Sequence, residues 1–178
     1  MMRFSVLPSE KKSLFSGYIE KKIVEPHSLE DLVKKIRLEK KTIATLNGSF
    51  DLLHAGHLEM IYQASLQADV LVVALNTDRS IQEYKSPKRP IIPLRQRMEM
   101  MASLSFVGYV TYFDELDPRE VLRKIRPDVH VNGAEYGENC IEASTVLECG
   151  GRVHIVSLVP GLSTSEIIKK IVSVCGSS

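Results

Sequence analysis

The sequence predicts an α/β fold, an open parallel five-stranded sheet with helices on both faces. Three observations predict it. From residue 41 onward, short apolar runs alternate with amphipathic stretches, five times over. The connections between them are short, as in right-handed strand–helix–strand crossovers. One run, VLVVALN (70–76), is almost continuously apolar, as a strand covered on both faces must be. The chain of 178 residues, 44% hydrophobic, is long enough for one domain with a real core and too short for two ordinary ones.

Each element has its own signals. Residues 1–27 show little periodicity and read as an N-terminal arm or irregular lead-in. Disorder and docking onto the body are equally open for it. The single domain then runs over residues 28–178. Ser28 to Lys40 reads as a helix, with Ser28 as cap, Asp31 three residues on, and Leu29, Leu32, Val33 and Ile36 on one face. TIATLN (42–47) is the first strand and His57 to Leu66 the next helix. VLVVALN is the second strand, and Asn76, Thr77 and Asp78 end it and cap a short helix. Leu94 to Leu104 is helical, with Met98 and Met101 as core fillers. Val107 to Phe113 is a strand, and Pro118 to Ile125 a helix with proline in its first turn. Val129 to Asn132 is a short strand. Ile141 to Cys149 is a helix ending at Gly150-Gly151. VHIVSLV (153–159) is the last strand. Ser163 to Val174 is the last helix, with Ser163 and Glu166 as a capping box.

Composition excludes several classes. The net charge of +1 gives no general attraction for nucleic acid. Cys140, Cys149 and Cys175 form no CxxC pair and read as free thiols in a reducing compartment. The start, MMRFSVLPSEKKS, lacks the apolar centre of a signal peptide, and no apolar run approaches a bilayer span of about 20 residues. The expectation is a cytoplasmic protein with no membrane partner.

Ligands of an open parallel sheet bind beyond the carboxyl ends of its strands. There the sequence places Asn47, Gly48, Ser49, Phe50 and Asp51; then Asn76, Thr77 and Asp78; then Asp114 and Glu115; then Asn132 and Gly133; and last Pro160 to Thr164. This edge is rich in glycine and hydroxyls and receives helix N-termini, which favour phosphate. His54 and His57 follow the first strand around Gly56, which lets backbone approach a ligand. Both rings can face one phosphate and stabilise charge developing on its oxygens. The alternatives are a metal pair or two unrelated histidines, and His27, His130 and His154 offer no third ligand at zinc spacing.

KSPKRPIIPLRQRM (85–98) carries five basic residues and three prolines between two helical stretches. Lys85, Lys88 and Arg89 could close over a polyphosphate, with Arg97 clamping it bidentately from the helix. GLSTSEIIKK (161–170) is a capped helix start whose Ser163 and Thr164 hydroxyls and first N–H groups suit phosphates. There is no GxGxxG after the first strand, no GxxxxGK[ST] and no GxSxG.

Together GSFDLLHAGH (48–57), NTD (76–78), the KSPKRPIIPLRQRM block and GLSTSEIIKKI (161–171) resemble the HxGH nucleotidyltransferases. Within them the likeness is greatest to the bacterial heptose 1-phosphate adenylyltransferases, the ADP-heptose synthases of lipopolysaccharide assembly. It runs from about residue 28 to 172. The resemblance implies a Rossmann-like fold in which ATP and a sugar 1-phosphate, D-glycero-β-D-manno-heptose 1-phosphate, bind at the sheet edge. The sugar phosphate attacks the α-phosphorus of ATP and pyrophosphate leaves, with Mg²⁺ carried on the ATP phosphates and no metal assigned to the protein. It implies that His54 and His57 stabilise the transition state and that Lys85 and Arg97 hold phosphates, assisted by Arg89. Ser163 and Thr164 hold the β- and γ-phosphates, and Asp51 orients the loop. Gly48, Ser49, Phe50, Asn76, Asp78 and Gly161 complete the nucleotide side, and Asn132 and Gly133 the sugar-phosphate side.

Two departures stand out. Ser49 replaces the usual cysteine or threonine, and NGAEY (132–136) replaces KGGDY, so Asn132 removes a positive charge near the sugar phosphate. LVPG (158–161) lacks the arginine of cytidylyltransferases, which favours ATP over CTP. About 40 residues precede the first strand, too few for the kinase often fused to this domain, so a separate sugar kinase is expected. Homodimerisation stays open. The rival readings are a cytidylyltransferase acting on glycerol 3-phosphate or a similar alcohol phosphate, a non-catalytic nucleotide-binding regulator, and a metal-dependent hydrolase.

Overall fold

The computed structural model describes residues 8–134, 137, 140–157 and 163–176, with side chains from residue 14 onward. Five strands form one sheet: β1 (Ile43–Gly48), β2 (Val70–Asn76), β3 (Tyr109–Phe113), β4 (Val129–Gly133) and β5 (Arg152–Val156). Their order is β3-β2-β1-β4-β5, and every pair is parallel. The chain steps outward from β1 to β3, then returns to the other side of β1 to place β4. The strand order therefore reverses between β1 and β4, and a cleft opens at the carboxyl ends of such a pair.

The alternation of side chains builds two cores. On one face Leu71, Val73 and Leu75 of β2 and Ala44 and Leu46 of β1 pack with Ile61, Met98 and Met101. These come from α3 (Ala55–Ser65) and α5 (Leu94–Ser103). On the other face Val72, Ala74 and Ile43 pack with Leu29, Ile36, Val121 and Ile125. These come from α2 (Leu29–Leu38) and α6 (Arg119–Ile125). Both faces of β2 are thus covered, which is why its sequence shows no polar alternation. Three more helices complete the domain: α4 (Asp78–Tyr84), α7 (Ala143–Glu148) and α8 (Thr164–Cys175).

Residues 8–20 form a helix, α1 (Pro8–Glu20), where the sequence suggested an irregular lead-in. Ile19 is buried against the first core. The chain beyond it bonds to the outer edge of β3: Val24 N donates to Val110 O and Val110 N to Lys22 O, both at 2.8 Å. The open sheet edge is thereby paired by the chain itself.

Ser28 does not cap α2 with its side chain. Its backbone (φ −97°, ψ 0°) continues the 3₁₀ turn Pro26–Ser28 rather than taking the extended geometry that a capping hydroxyl needs. At the end of α7, Gly150 has φ +85°, and a Cβ on Gly151 would lie 2.2 Å from the Pro127 carbonyl, so the glycine pair is required there. The last strand ends at Val156, and residues 158–159 of the predicted run lie outside the described residues. Among the described residues no helix is long and apolar enough to cross a membrane.

Candidate active site

The loop after β1 is drawn under the sheet edge by its own side chains. Phe50 takes a left-handed backbone (φ +44°) and tucks its ring beneath Gly48, where a Cβ would meet it at 3.1 Å. Asp51 is 1% exposed. Its carboxylate accepts from Ile91 N (2.7 Å), Ile92 N (2.8 Å) and Arg89 Nε (2.6 Å). That ties the basic segment to the β1 loop, and it also fills the carboxylate. Asp51 is therefore a scaffold residue, not a contact for phosphate. The Arg89–Pro90 peptide is cis.

His54 is the N-cap of α3, its Nδ1 accepting from His57 N at 3.4 Å. With Nδ1 used as an acceptor, the proton of the neutral ring sits on Nε2. His57 stacks on His54 with centroids 3.8 Å apart and planes 22° apart, and meets the edge of Phe50 at 5.3 Å. Burial pushes the His57 pKa down to about 4, helped by His54 and Lys85 and opposed by the Leu52 carbonyl. His57 Nδ1 is buried and has no hydrogen-bond partner. Burial lowers His54 as well. At neutral pH the pair is two uncharged rings at the start of a helix, ready to donate to an anion.

Lys85 closes the other side of the loop, its Nζ donating to Ser49 Oγ at 2.9 Å. Burial lowers its pKa, and the neighbouring Arg89 and Arg97 cations add to this while Asp51 opposes. A lysine held in this way is short of negative charge.

Arg97 corrects the sequence reading. It was expected to clamp phosphate, yet it is 0% exposed. Its Nε donates to Ile92 O (2.9 Å), Nη1 to Ser49 O (2.6 Å), and Nη2 to Asn76 O (2.9 Å) and Asp78 Oδ1 (2.7 Å). Four of its five N–H donors are engaged within the protein, so no fork is left for a ligand. Arg97 fixes the ends of β1 and β2 from below. Asp78 also accepts from Leu94 N at 2.9 Å, so it too belongs to the scaffold. Of the residues after β3, Asp114 is paired with Arg79 and Thr77 and takes no part in the cleft.

The cleft at the carboxyl ends of the strands holds about 570 Å³, with Asn47, Ser49, Asn76, Lys85, Asn132 and Glu142 among its lining. Gly48 lies in it as well, and Gly133 ends β4 beside it. Glu142 was not found from sequence, since nothing in a residue ten positions past Asn132 signals its return to the same pocket. Another hollow, about 510 Å³, lies at the amino ends of β2 and β3, away from the histidines. At α8, Ser163 Oγ accepts from Glu166 N at 3.2 Å, one half of the predicted capping box. Ser163 and Thr164 make no hydrogen bond to the β1 loop among the described residues. Gly161 lies outside them, as do Glu135 and Tyr136. Among the described residues no cluster of three or more His, Cys, Asp or Glu side chains is placed to hold a metal ion.

A family profile described as cytidylyltransferase-like matches residues 45–170, from mid-β1 into α8. The chain belongs to the cytidylyltransferase-like family. It is a nucleotidyltransferase. It is 40% identical over 153 residues to the bifunctional protein HldE of Syntrophotalea carbinolica, covering 85% of this chain and 31% of that one. It is 39% identical over 168 residues to HldE of Methylobacillus flagellatus, covering 94% and 34%. The chain thus spans about a third of the length of these curated relatives. A lipopolysaccharide core biosynthesis protein from Thermoplasma volcanium shares the fold, with TM-score 0.55 and 24% identity over 67% of this chain and 97% of that one.

Proposed function

We propose that this nucleotidyltransferase is an adenylyltransferase joining AMP from ATP to D-glycero-β-D-manno-heptose 1-phosphate. An oxygen of the sugar phosphate attacks the α-phosphorus of ATP, the bond from that phosphorus to the bridging oxygen breaks, and pyrophosphate leaves with ADP-heptose as the other product. The observation that carries this reading is the stacked, uncharged His54–His57 pair at the start of α3, beside the Lys85–Ser49 bond. Two neutral donors and one cation suit an α-phosphate whose charge rises in the transition state.

His54 and His57 donate to its oxygens. Lys85 sits between nucleotide and acceptor and holds a phosphate, with Arg89 beside it. Ser163 and Thr164, at the start of α8, hold the β- and γ-phosphates. Ser49, Gly48 and Phe50 shape the loop, and Asn76 the base of the cleft. Mg²⁺ enters as part of the MgATP substrate. Asn132 and Gly133 face the sugar phosphate. The heptose assignment rests on the four sequence blocks and agrees with the similarity to HldE proteins. A kinase activity, on this or another chain, must supply the sugar 1-phosphate, and the reaction belongs in the cytoplasm where ATP is available.

Pyrophosphate release tests this, with ATP or CTP against heptose 1-phosphates of both anomers, glycerol 3-phosphate and ribitol 5-phosphate. Release with ATP and a heptose 1-phosphate is expected. A preference for CTP and glycerol 3-phosphate would replace the reading with the cytidylyl one.

A further inference from the structure

Glu142 has no place in the chemistry above, yet it is 6% exposed and lines the same cleft as Lys85. Its carboxylate accepts a long contact from Asn132 Nδ2 at 3.5 Å and a hydrogen bond from the Cys140 thiol, and it has no ion pair among the described residues. Arg119, which feels its charge, is engaged bidentately by Asp117, at 2.8 Å and 2.9 Å. Burial raises the pKa of the neighbouring Cys140 thiol, a hydrogen bond with Asn132 opposes this, and the hydrogen bond and charge of Glu142 add to it.

A carboxylate has about four acceptor positions, and Asn132 and Cys140 occupy only part of them here. Asn47, across the cleft, has a buried Oδ1 with no partner. The cleft therefore presents a cation at one end and acceptors short of donors elsewhere. Its fitting ligand carries a phosphate and several hydroxyls. An ammonium would satisfy Glu142 but offer nothing to the amide N–H groups of Asn47, Asn76 and Asn132, whereas hydroxyls both donate and accept.

We propose that Glu142, together with Asn132, selects the acceptor substrate by taking hydrogen bonds from adjacent hydroxyls of a polyol phosphate whose phosphate lies at Lys85. This rests on the adenylyl-transfer reading and names the residue that sets its acceptor. Where a lysine in place of Asn132 would attract charge, the Asn132–Glu142 pair reads hydroxyls.

The test is calorimetric binding of heptose 1-phosphate and of ethanolamine phosphate to the full chain, with α,β-methylene-ATP present. Wild type is compared with Glu142→Gln and Glu142→Ala. Loss of hydrogen bonds to a charged acceptor is worth roughly 10- to 100-fold in affinity. Glu142→Ala is expected to weaken heptose 1-phosphate by that factor and Glu142→Gln, which keeps one acceptor oxygen and the volume, by less. Affinity for the ATP analogue should not move in either variant, and a thermal melt checks that each is folded. Equal heptose 1-phosphate affinity in all three proteins would overturn the proposal, as would tighter binding of ethanolamine phosphate by wild type, or no binding of heptose 1-phosphate at all. Glu142-dependent binding without pyrophosphate release would uphold the selection and sink the transfer reading instead.

Discussion

Replacing Arg97 by lysine separates a structural keystone from a phosphate ligand. The guanidinium reaches acceptors in several directions: the carbonyls of Ile92, Ser49 and Asn76 and the Asp78 carboxylate. A lysine ammonium has three donors on a single atom and cannot serve all four acceptors. Each buried acceptor left without a donor costs about 1–3 kcal/mol. The Asp78 side chain is 39% exposed, so its share is discounted for solvent. Breaking a buried charged network in this way typically costs about 3–5 kcal/mol. For a chain of this size, that lowers the melting temperature by roughly 10 °C or more. Differential scanning calorimetry on protein without nucleotide reads the change. Steady-state kinetics should show kcat/KM falling as well, because Ser49 and Asn76 are held by the same side chain. An unchanged melting temperature with a raised KM for ATP alone would return Arg97 to the phosphates.

Other outcomes follow from the same geometry. His54→Ala and His57→Ala should each lower kcat by roughly 10²-fold or more, the scale for losing one donor to a developing oxyanion, with little change in ATP binding by calorimetry. With its pKa near 4, His57 stays uncharged across the neutral range, so kcat/KM should show no ionisation from it between pH 6 and 7.5. The basic limb should begin below the ordinary lysine value of 10.5, since burial lowers Lys85. His130 is fully buried, with its Nδ1 2.8 Å from Thr45 Oγ1, its Nε2 unpaired and its pKa pushed down to about 4 by burial. A folded pKa below the unfolded 6.5 means that the unfolded chain binds the extra proton, so stability is lost as pH falls from 6.5 toward 4. Urea melts at pH 7.5 and pH 5 should differ by about 2 kcal/mol from this group, and His130→Gln should remove most of that difference. Asp51→Ala strips two backbone N–H groups and Arg89 of their acceptor and should cost about 3 kcal/mol in a urea melt.

The sheet was legible because its signals are strong and local. VLVVALN carries no polar residue before Asn76, since both of its faces are covered, and its bounds follow directly. Thr77 and Ser163 were legible as caps because the hydroxyl bonds only three residues along the chain. The N-terminal helix was not legible, because it is held by long-range contacts: Ile19 in the core and Val24 on Val110. Ser28 shows the limit of cap rules, since the 3₁₀ turn before it sets its backbone. At the site, chain order identified the phosphate-friendly edge but not which charges face it. Arg97 and Lys85 look alike as basic residues in one block. Only packing shows that one guanidinium is enclosed by carbonyls while the lysine lies in the cleft. Glu142 lines the pocket ten positions past Asn132, a proximity that no sequence period encodes.

Transfer of the adenylyl group to a sugar phosphate is read directly by ³¹P NMR of the products. Protein is incubated with MgATP and heptose 1-phosphate and the phosphorus species are counted. Equal amounts of a nucleoside diphosphate sugar and free pyrophosphate are expected. ADP with a doubly phosphorylated sugar, or AMP with pyrophosphate and unreacted heptose 1-phosphate, would contradict it.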